Sequence, residues 1–128
     1  MISRYLIVDD SRAMRAFIAG ALRSSIDCRV DEASSGFEAL RLFPRGTYDA
    51  VIADINMPDI NGFELIRHLR ASGRQGSVPI VVISTQTSQR DVERALELGA
   101  NAFLRKPFTP EEIVRAVTSC EPRAEASR

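Results

Sequence analysis

The chain predicts an α/β fold: a doubly wound five-stranded parallel sheet in the order 2-1-3-4-5, flanked by five helices. Three observations predict it. Residues 50–53 and 79–83 are apolar runs bounded by polar turns. Strands buried on both faces read this way, and such strands belong to parallel sheets. Short strands alternate five times with amphipathic helical segments, the pattern of right-handed crossovers with helices on both faces. Residues 28–33 instead alternate, with Cys28 and Val30 against Arg29 and Asp31. That suits an edge strand half open to water. A second strand at the edge satisfies the order given.

In chain order, Tyr5-Leu6-Ile7-Val8 is a short apolar strand ending in Asp9-Asp10. Asp10 or Ser11 can cap the helix that follows. Met14, Phe17, Ile18, Ala21 and Leu22 form its inward stripe at i, i+3, i+4, i+7 and i+8. After the edge strand, Ser34 or Ser35 caps a second helix, with Phe37 and Leu40 inward and Pro44 and Gly46 marking its end. The central strand at 50–53 stops abruptly at Asp54. Met57-Pro58 and Asn61-Gly62 make a turn, and a third helix runs from Gly62 to Arg70 with Phe63, Ile66 and Leu69 inward. A loop at 72–77 leads to the strand at 79–83, which ends in Ser84-Thr85. A fourth helix spans Asp91 to Leu98 and is stopped by Gly99. Ala102-Phe103-Leu104 is the fifth strand. Thr109-Pro110-Glu111-Glu112 opens the fifth helix: a cap, a proline at its first position, and acids in the first turn. Ile113, Ala116, Val117 and Cys120 carry that helix inward.

Composition bounds the function. A chain of 128 residues with 45% apolar and 27% charged content is one globular domain. Basic and acidic residues balance at 17 each, which favours neither nucleic acid nor an anionic membrane. No apolar run approaches the roughly 20 residues that span a bilayer. Met1-Ile2-Ser3-Arg4 leads straight into a strand, so no signal peptide is expected. Cys28 and Cys120 lack metal-ligand spacing and are expected reduced, in the cytoplasm. Sixteen basic residues are arginine, and Lys106 is the sole lysine.

In such a sheet the C-terminal strand ends converge on one edge, where open α/β sheets place their ligands. Strand 1 brings Asp9 and Asp10, strand 3 Asp54, strand 4 Ser84 and Thr85, and strand 5 leads to Lys106. Three carboxylates this close repel, so either one pKa rises or a cation sits among them. Oxygen-only ligands with room for water suit Mg2+, which prefers partner phosphates. A hydroxyl and an ammonium complete an anion site. The set reads as phosphoryl transfer: metal and ammonium neutralise phosphoryl oxygens while a carboxylate attacks in line. Taken singly, Asp9-Asp10 reads as a helix cap, Ser84 as a strand-end hydroxyl and Lys106 as a surface lysine. Their arrival together at four strand ends sets those readings aside.

These motifs carry a resemblance. Leu6-Ile7-Val8-Asp9-Asp10, Tyr48-Asp49 with the run to Asp54, Met57-Pro58, Gly62, Val82-Ile83-Ser84, Gly99-Ala100 and Leu104-Arg105-Lys106-Pro107-Phe108 follow in register. Over residues 3–119 the chain resembles the receiver domain of two-component response regulators, most of all the single-domain chemotaxis type with its flavodoxin-like topology. The resemblance implies a receiver domain over residues 1–120 and a polar tail over 121–128. It implies that Asp54 accepts a phosphoryl group from a histidine kinase or phosphotransfer protein. Asp10 and Asp54 would bind Mg2+ by carboxylate, Asn56 by its backbone carbonyl, and Asp9 through a water. Lys106 would pair with Asp54 or its phosphoryl group, Ser84 would bond a phosphoryl oxygen, and Phe103 would take the aromatic switch position. The Lys106-Pro107 bond is cis in the family. Such a protein is no conventional enzyme: it catalyses its own phosphorylation and slow dephosphorylation. It would signal as a monomer, by protein contact through the face of helix 4, strand 5 and helix 5.

Two departures stand out. Phe103 replaces the tyrosine common in chemotaxis members. Thr85 stands where the family usually has Ala or Gly, and the resemblance implies that it would frame access to the phosphoryl group together with Asn56 and Gln86. Rival readings fit less well. A magnesium-dependent phosphohydrolase of the haloacid-dehalogenase type carries Asp-x-Asp after its first strand, whereas this chain has Asp9-Asp10-Ser11-Arg12. A flavin binder needs a hydroxyl- or glycine-rich phosphate loop there. A receiver that only binds partners, or serves as a phosphate sink without motor output, stays open, as does the downstream target. His68, beside Arg67 and Arg70, reads as a surface residue.

Overall fold

The computed structural model describes residues 2–85 and 88–120, so Gln86 and the tail at 121–128 lie outside the described residues. Five parallel strands alternate with five helices: β1 (Ser3–Val8), α1 (Arg12–Ser25), β2 (Cys28–Ala33), α2 (Gly36–Leu42), β3 (Ala50–Asp54), α3 (Gly62–Arg70), β4 (Ile80–Ser84), α4 (Gln89–Leu98), β5 (Ala102–Arg105) and α5 (Pro110–Cys120). The sheet order is β2-β1-β3-β4-β5, as the sequence predicts. Every residue of β3 and β4 is buried, while in β2 Arg29 and Glu32 are exposed, Ala33 is buried and the rest are half-buried.

Strand alternation splits the core into two layers. Leu6, Val8, Val51, Ala53, Ile80 and Val82 face α2, α3 and α4. Tyr5, Ile7, Ala50, Ile52, Val81 and Ile83 face α1 and α5, where Ile18, Leu22, Ile113 and Val117 meet them. Each fully buried Leu or Ile contributes about 1.5–3 kcal/mol. This double-sided burial holds the strand ends rigid, which a precise site needs.

The helix starts carry their own signals. Ser11, Ser35, Asn61 and Ser88 each accept from the backbone N–H three residues on. Thr109 and Glu112 form a reciprocal capping box, with bonds of 3.1 and 2.8 Å. Gly99 closes α4 in the left-handed region, φ +116°. Arg70 ties three segments together. Its guanidinium donates to the carbonyls of Gly76, Val78 and Gly99 and to the Asn101 side chain.

Some expectations need correction. Phe37, expected inward, is 62% exposed. The fully buried residues of α2 are Gly36 and Ala39, continued by Phe43 in the following 3₁₀ turn, while Leu40, expected inward, is half-buried against the same core layer. Phe17, placed on the α1 stripe, is 40% exposed. It sits at the stripe's margin, its ring 5.9 Å from that of Phe108. Helix α4 starts at Gln89, not Asp91, because Ser88 caps it. His68 is exposed, as expected.

Candidate functional site

The C-terminal strand ends bring together most of the residues singled out above. At the end of β1, Asp9 is fully buried and Asp10 is exposed. The Ser11 N–H donates to Asp9 Oδ1 at 2.8 Å, turning the chain out of the strand. Arg15, one turn into α1, fixes this corner: Nη1 donates to the Asp9 carbonyl at 2.7 Å, and Nε pairs with Glu32 at 3.0 Å. Asp54 ends β3 at 5% exposure. Its Oδ1 accepts from the Asn56 backbone N–H at 3.2 Å. Oxygens of Asp9, Asp10 and Asp54 lie within 4.8 Å of one another.

Lys106 reaches over from beyond β5. Its Nζ is 2.9 Å from Asp9 Oδ2 and 3.5 Å from Asp54 Oδ2, with its side chain 13% exposed. Its nearer partner is therefore Asp9, which the sequence did not indicate. The Lys106–Pro107 peptide is cis. The Lys106 N–H donates to the Ser84 carbonyl at 2.9 Å, joining the ends of β4 and β5. Ser84 is fully buried, and its Oγ accepts from Asn56 Nδ2 at 3.4 Å. Thr85, next along, is exposed.

Three carboxylates share one ammonium here, which leaves the site acidic. Burial pushes the Asp54 pKa up from its ordinary value of 3.8; Lys106 pulls it down, and Asp9 pushes it up again, with a net rise. A buried, electron-rich carboxylate beside an acidic cluster suits a hard divalent cation with oxygen ligands. The donor set fits magnesium, with Asp10 open to solvent on the approach side.

Phe103 is half-buried against the α2–α4 layer of the core. The β4–β5 register pairs Val82 with Phe103 and Ser84 with Arg105. Ser84 and Phe103 thus lie on the same sheet face, one step apart on neighbouring strands. Sequence reasoning missed Arg15 and the Asp9–Lys106 contact, since neither leaves a local pattern.

Comparison with known proteins places the chain in a family. The family model described as "Response regulator receiver domain" matches residues 5–118. The two-component response regulator ORR5 of Oryza sativa subsp. japonica is 39% identical over 111 residues, covering 86% of this chain and 82% of that protein. A gliding motility regulatory protein of Myxococcus xanthus is 38% identical over 111 residues, 87% of this chain but only 14% of that protein. Among solved structures, the chemotaxis response regulator CheY4 of Vibrio cholerae superposes with a TM-score of 0.87 at 30% identity, covering 94% of this chain and 99% of that one. Among the described residues no helix is long and apolar enough to cross a membrane.

Proposed function

The chain belongs to the response regulator receiver domain family of two-component signalling, and from that premise we propose that Asp54 accepts a phosphoryl group from a histidine kinase or phosphotransfer protein. One observation carries this reading: a buried carboxylate ends the central strand with Lys106 Nζ at 3.5 Å and the Asp9–Asp10 pair beside it. An Asp54 oxygen attacks phosphorus, and the bond from phosphorus to the donor's imidazole nitrogen breaks. The bonding pair leaves with that nitrogen, and an acyl phosphate forms. Asp10 and Asp54 by carboxylate, Asn56 by its backbone carbonyl and Asp9 through a water would hold Mg2+. When bound, the cation neutralises the phosphoryl oxygens as charge shifts during transfer. The Lys106 ammonium adds a second positive charge on the Asp54 side.

Ser84 then offers its hydroxyl to a phosphoryl oxygen, a charge-assisted bond stronger than its 3.4 Å contact with Asn56. Drawing Ser84 toward Asp54 frees space that Phe103, on the same face, can enter. That biases an equilibrium already present and reshapes the face of α4, β5 and α5, where the downstream protein would dock. Magnesium titration followed by beryllofluoride, a phosphoryl mimic, tests the proposal by NMR. The backbone resonances of Asp10, Asp54 and Asn56 should shift with magnesium. Those of Ser84 and Phe103 should shift together on adding beryllofluoride. A chain that responds to neither is not a working phosphoacceptor. Ser84 shifting while Phe103 stays fixed removes the coupling.

Thr85 sets how long the acyl phosphate lasts. Hydrolysis needs water in line, opposite the leaving carboxylate, and the exposed Thr85 adds a branched side chain at the strand end next to Ser84. Asn56, and Gln86 by resemblance, bear amides that cannot serve as general bases. Thr85→Ala should speed self-dephosphorylation by roughly two- to tenfold, about 0.4–1.4 kcal/mol of barrier. Equal decay rates in saturating magnesium refute the role.

A further inference from the structure

Asn56 sits in a loop that is pinned at two places. At the base, the Gly62 N–H donates to the Ile55 carbonyl at 2.8 Å. A Cβ on Gly62 would come within 2.6 Å of Ile55 Cα, so only glycine permits this closure. At the tip, Asp59 reaches across to a different element. Its Oδ1 accepts from the Gly36 N–H at 3.1 Å and its Oδ2 from the Phe37 N–H at 2.8 Å. Both donors belong to the first turn of α2, which α2 cannot itself satisfy. The Ile60 side chain fills the space a Cβ on Gly36 would need. Loop tip and helix start thus interlock.

Helix α2 does not need Asp59 for its only cap. Ser35 Oγ already accepts from the Glu38 N–H at 3.1 Å. Burial of Asp59 raises its pKa, but bonds from the backbone N–H groups of Phe37, Ile60 and Gly36 outweigh that, and the net shift is downward. The carboxylate therefore stays ionised and bound at neutral pH. Between the two pins, the Asn56 N–H is fixed on Asp54 Oδ1. The direction of the Asn56 carbonyl then depends on where the tip of the loop is held.

We propose that Asp59 is a positioning residue for the metal site: by clamping the loop tip to the start of α2, it aims the Asn56 carbonyl at the cation. This deepens the phosphoacceptor reading above and rests on it. Groups that orient metal ligands usually change affinity ten- to a hundredfold when removed. One carbonyl among several ligands and waters should lie at the low end.

The test compares Asp59→Ala, Asp59→Asn and Ser35→Ala with the wild type. Ser35→Ala weakens the same helix start without touching the loop. In the metal-free proteins, amide hydrogen exchange at Asn56 is measured by NMR; magnesium affinity is then measured by titration. Asp59→Ala should speed Asn56 exchange severalfold and weaken magnesium binding by about tenfold. Asp59→Asn keeps one acceptor oxygen and should fall between. Ser35→Ala should lower the melting temperature yet bind magnesium as the wild type does. Wild-type affinity in Asp59→Ala, or equal weakening in Ser35→Ala, overturns the proposal. If the wild type itself takes up no magnesium, the phosphoacceptor reading fails and the metal role falls with it. The exchange rates then still decide separately whether Asp59 holds the loop.

Discussion

Replacing Asp54 by alanine will abolish acid-stable, magnesium-dependent phosphoryl labelling by a cognate kinase or a small acyl phosphate donor. Asp9 is fully buried and its Oδ2 is taken by Lys106 at 2.9 Å, and Asp10 is exposed beyond the end of β1. Neither is placed to substitute. Labelling that persists at the wild-type level assigns the acceptor elsewhere. Asp54→Asn separates charge from shape, because the amide fills the same space and Lys106 keeps Asp9 as its partner. The sign of its stability effect follows from the raised pKa. The folded chain holds the Asp54 proton more tightly than the unfolded chain, whose carboxyl titrates near 3.8. The stability this gives is present in full below that value and is lost as pH rises through the folded-state pKa. At neutral pH the ionised carboxylate therefore costs stability in the metal-free protein. Asp54→Asn should melt at a higher temperature than the wild type at pH 7, with the gap closing as pH falls toward 3.8. A wild type more stable than Asp54→Asn at neutral pH contradicts the desolvation argument.

Asp10→Ala should remove measurable magnesium binding. The ligand set proposed above, two carboxylates, one carbonyl and several waters, would make an open site, so even the wild type should bind weakly, with a dissociation constant on the order of millimolar. Losing one of two charged ligands from such a site leaves too little to displace the ion's water. Because Asp10 is exposed, the substitution leaves both core layers intact. The melting curve without metal should match the wild type, while the magnesium-dependent rise in melting temperature disappears. Unchanged affinity would remove Asp10 from the ligand set.

The parts of this molecule that were legible in its sequence are those with a local signature. Strands β3 and β4 announce themselves because burial on both faces demands unbroken apolar runs. Asp54 and Ser84 stand out because each ends such a strand, and Lys106 because it is the sole lysine and follows β5; a parallel sheet gathers those strand ends by topology alone. Helix α2 is legible only in part: Leu40 packs against the core as expected, but the bulky Phe37 turns outward. Its fully buried residues are Gly36 and Ala39, which carry almost no hydrophobic signal. Small residues there let α2 approach Ile60 closely, and periodicity weighted by side-chain size overlooks them. The Arg70 clasp, the Arg15 bond to Asp9 and the Asp59 bridge to α2 were invisible for another reason. Each joins segments through an exposed or half-exposed polar side chain, and polar side chains in loops and helix ends are the normal state of a surface. Only the three-dimensional path shows which of them are engaged.

The single lysine has a practical consequence. Amine-selective acylating reagents find one side-chain target in this chain, and it is the ammonium held between Asp9 and Asp54. With 13% of its side chain exposed and both neighbours anionic, that amine should react slowly at rest. Any event that changes its partners, such as cation loading, modification of Asp54 or docking of another protein over the strand ends, changes its rate of acylation. Peptide mass mapping of one residue then becomes a chemical footprint of the whole site, with no engineered probe residue and no background from lysines elsewhere.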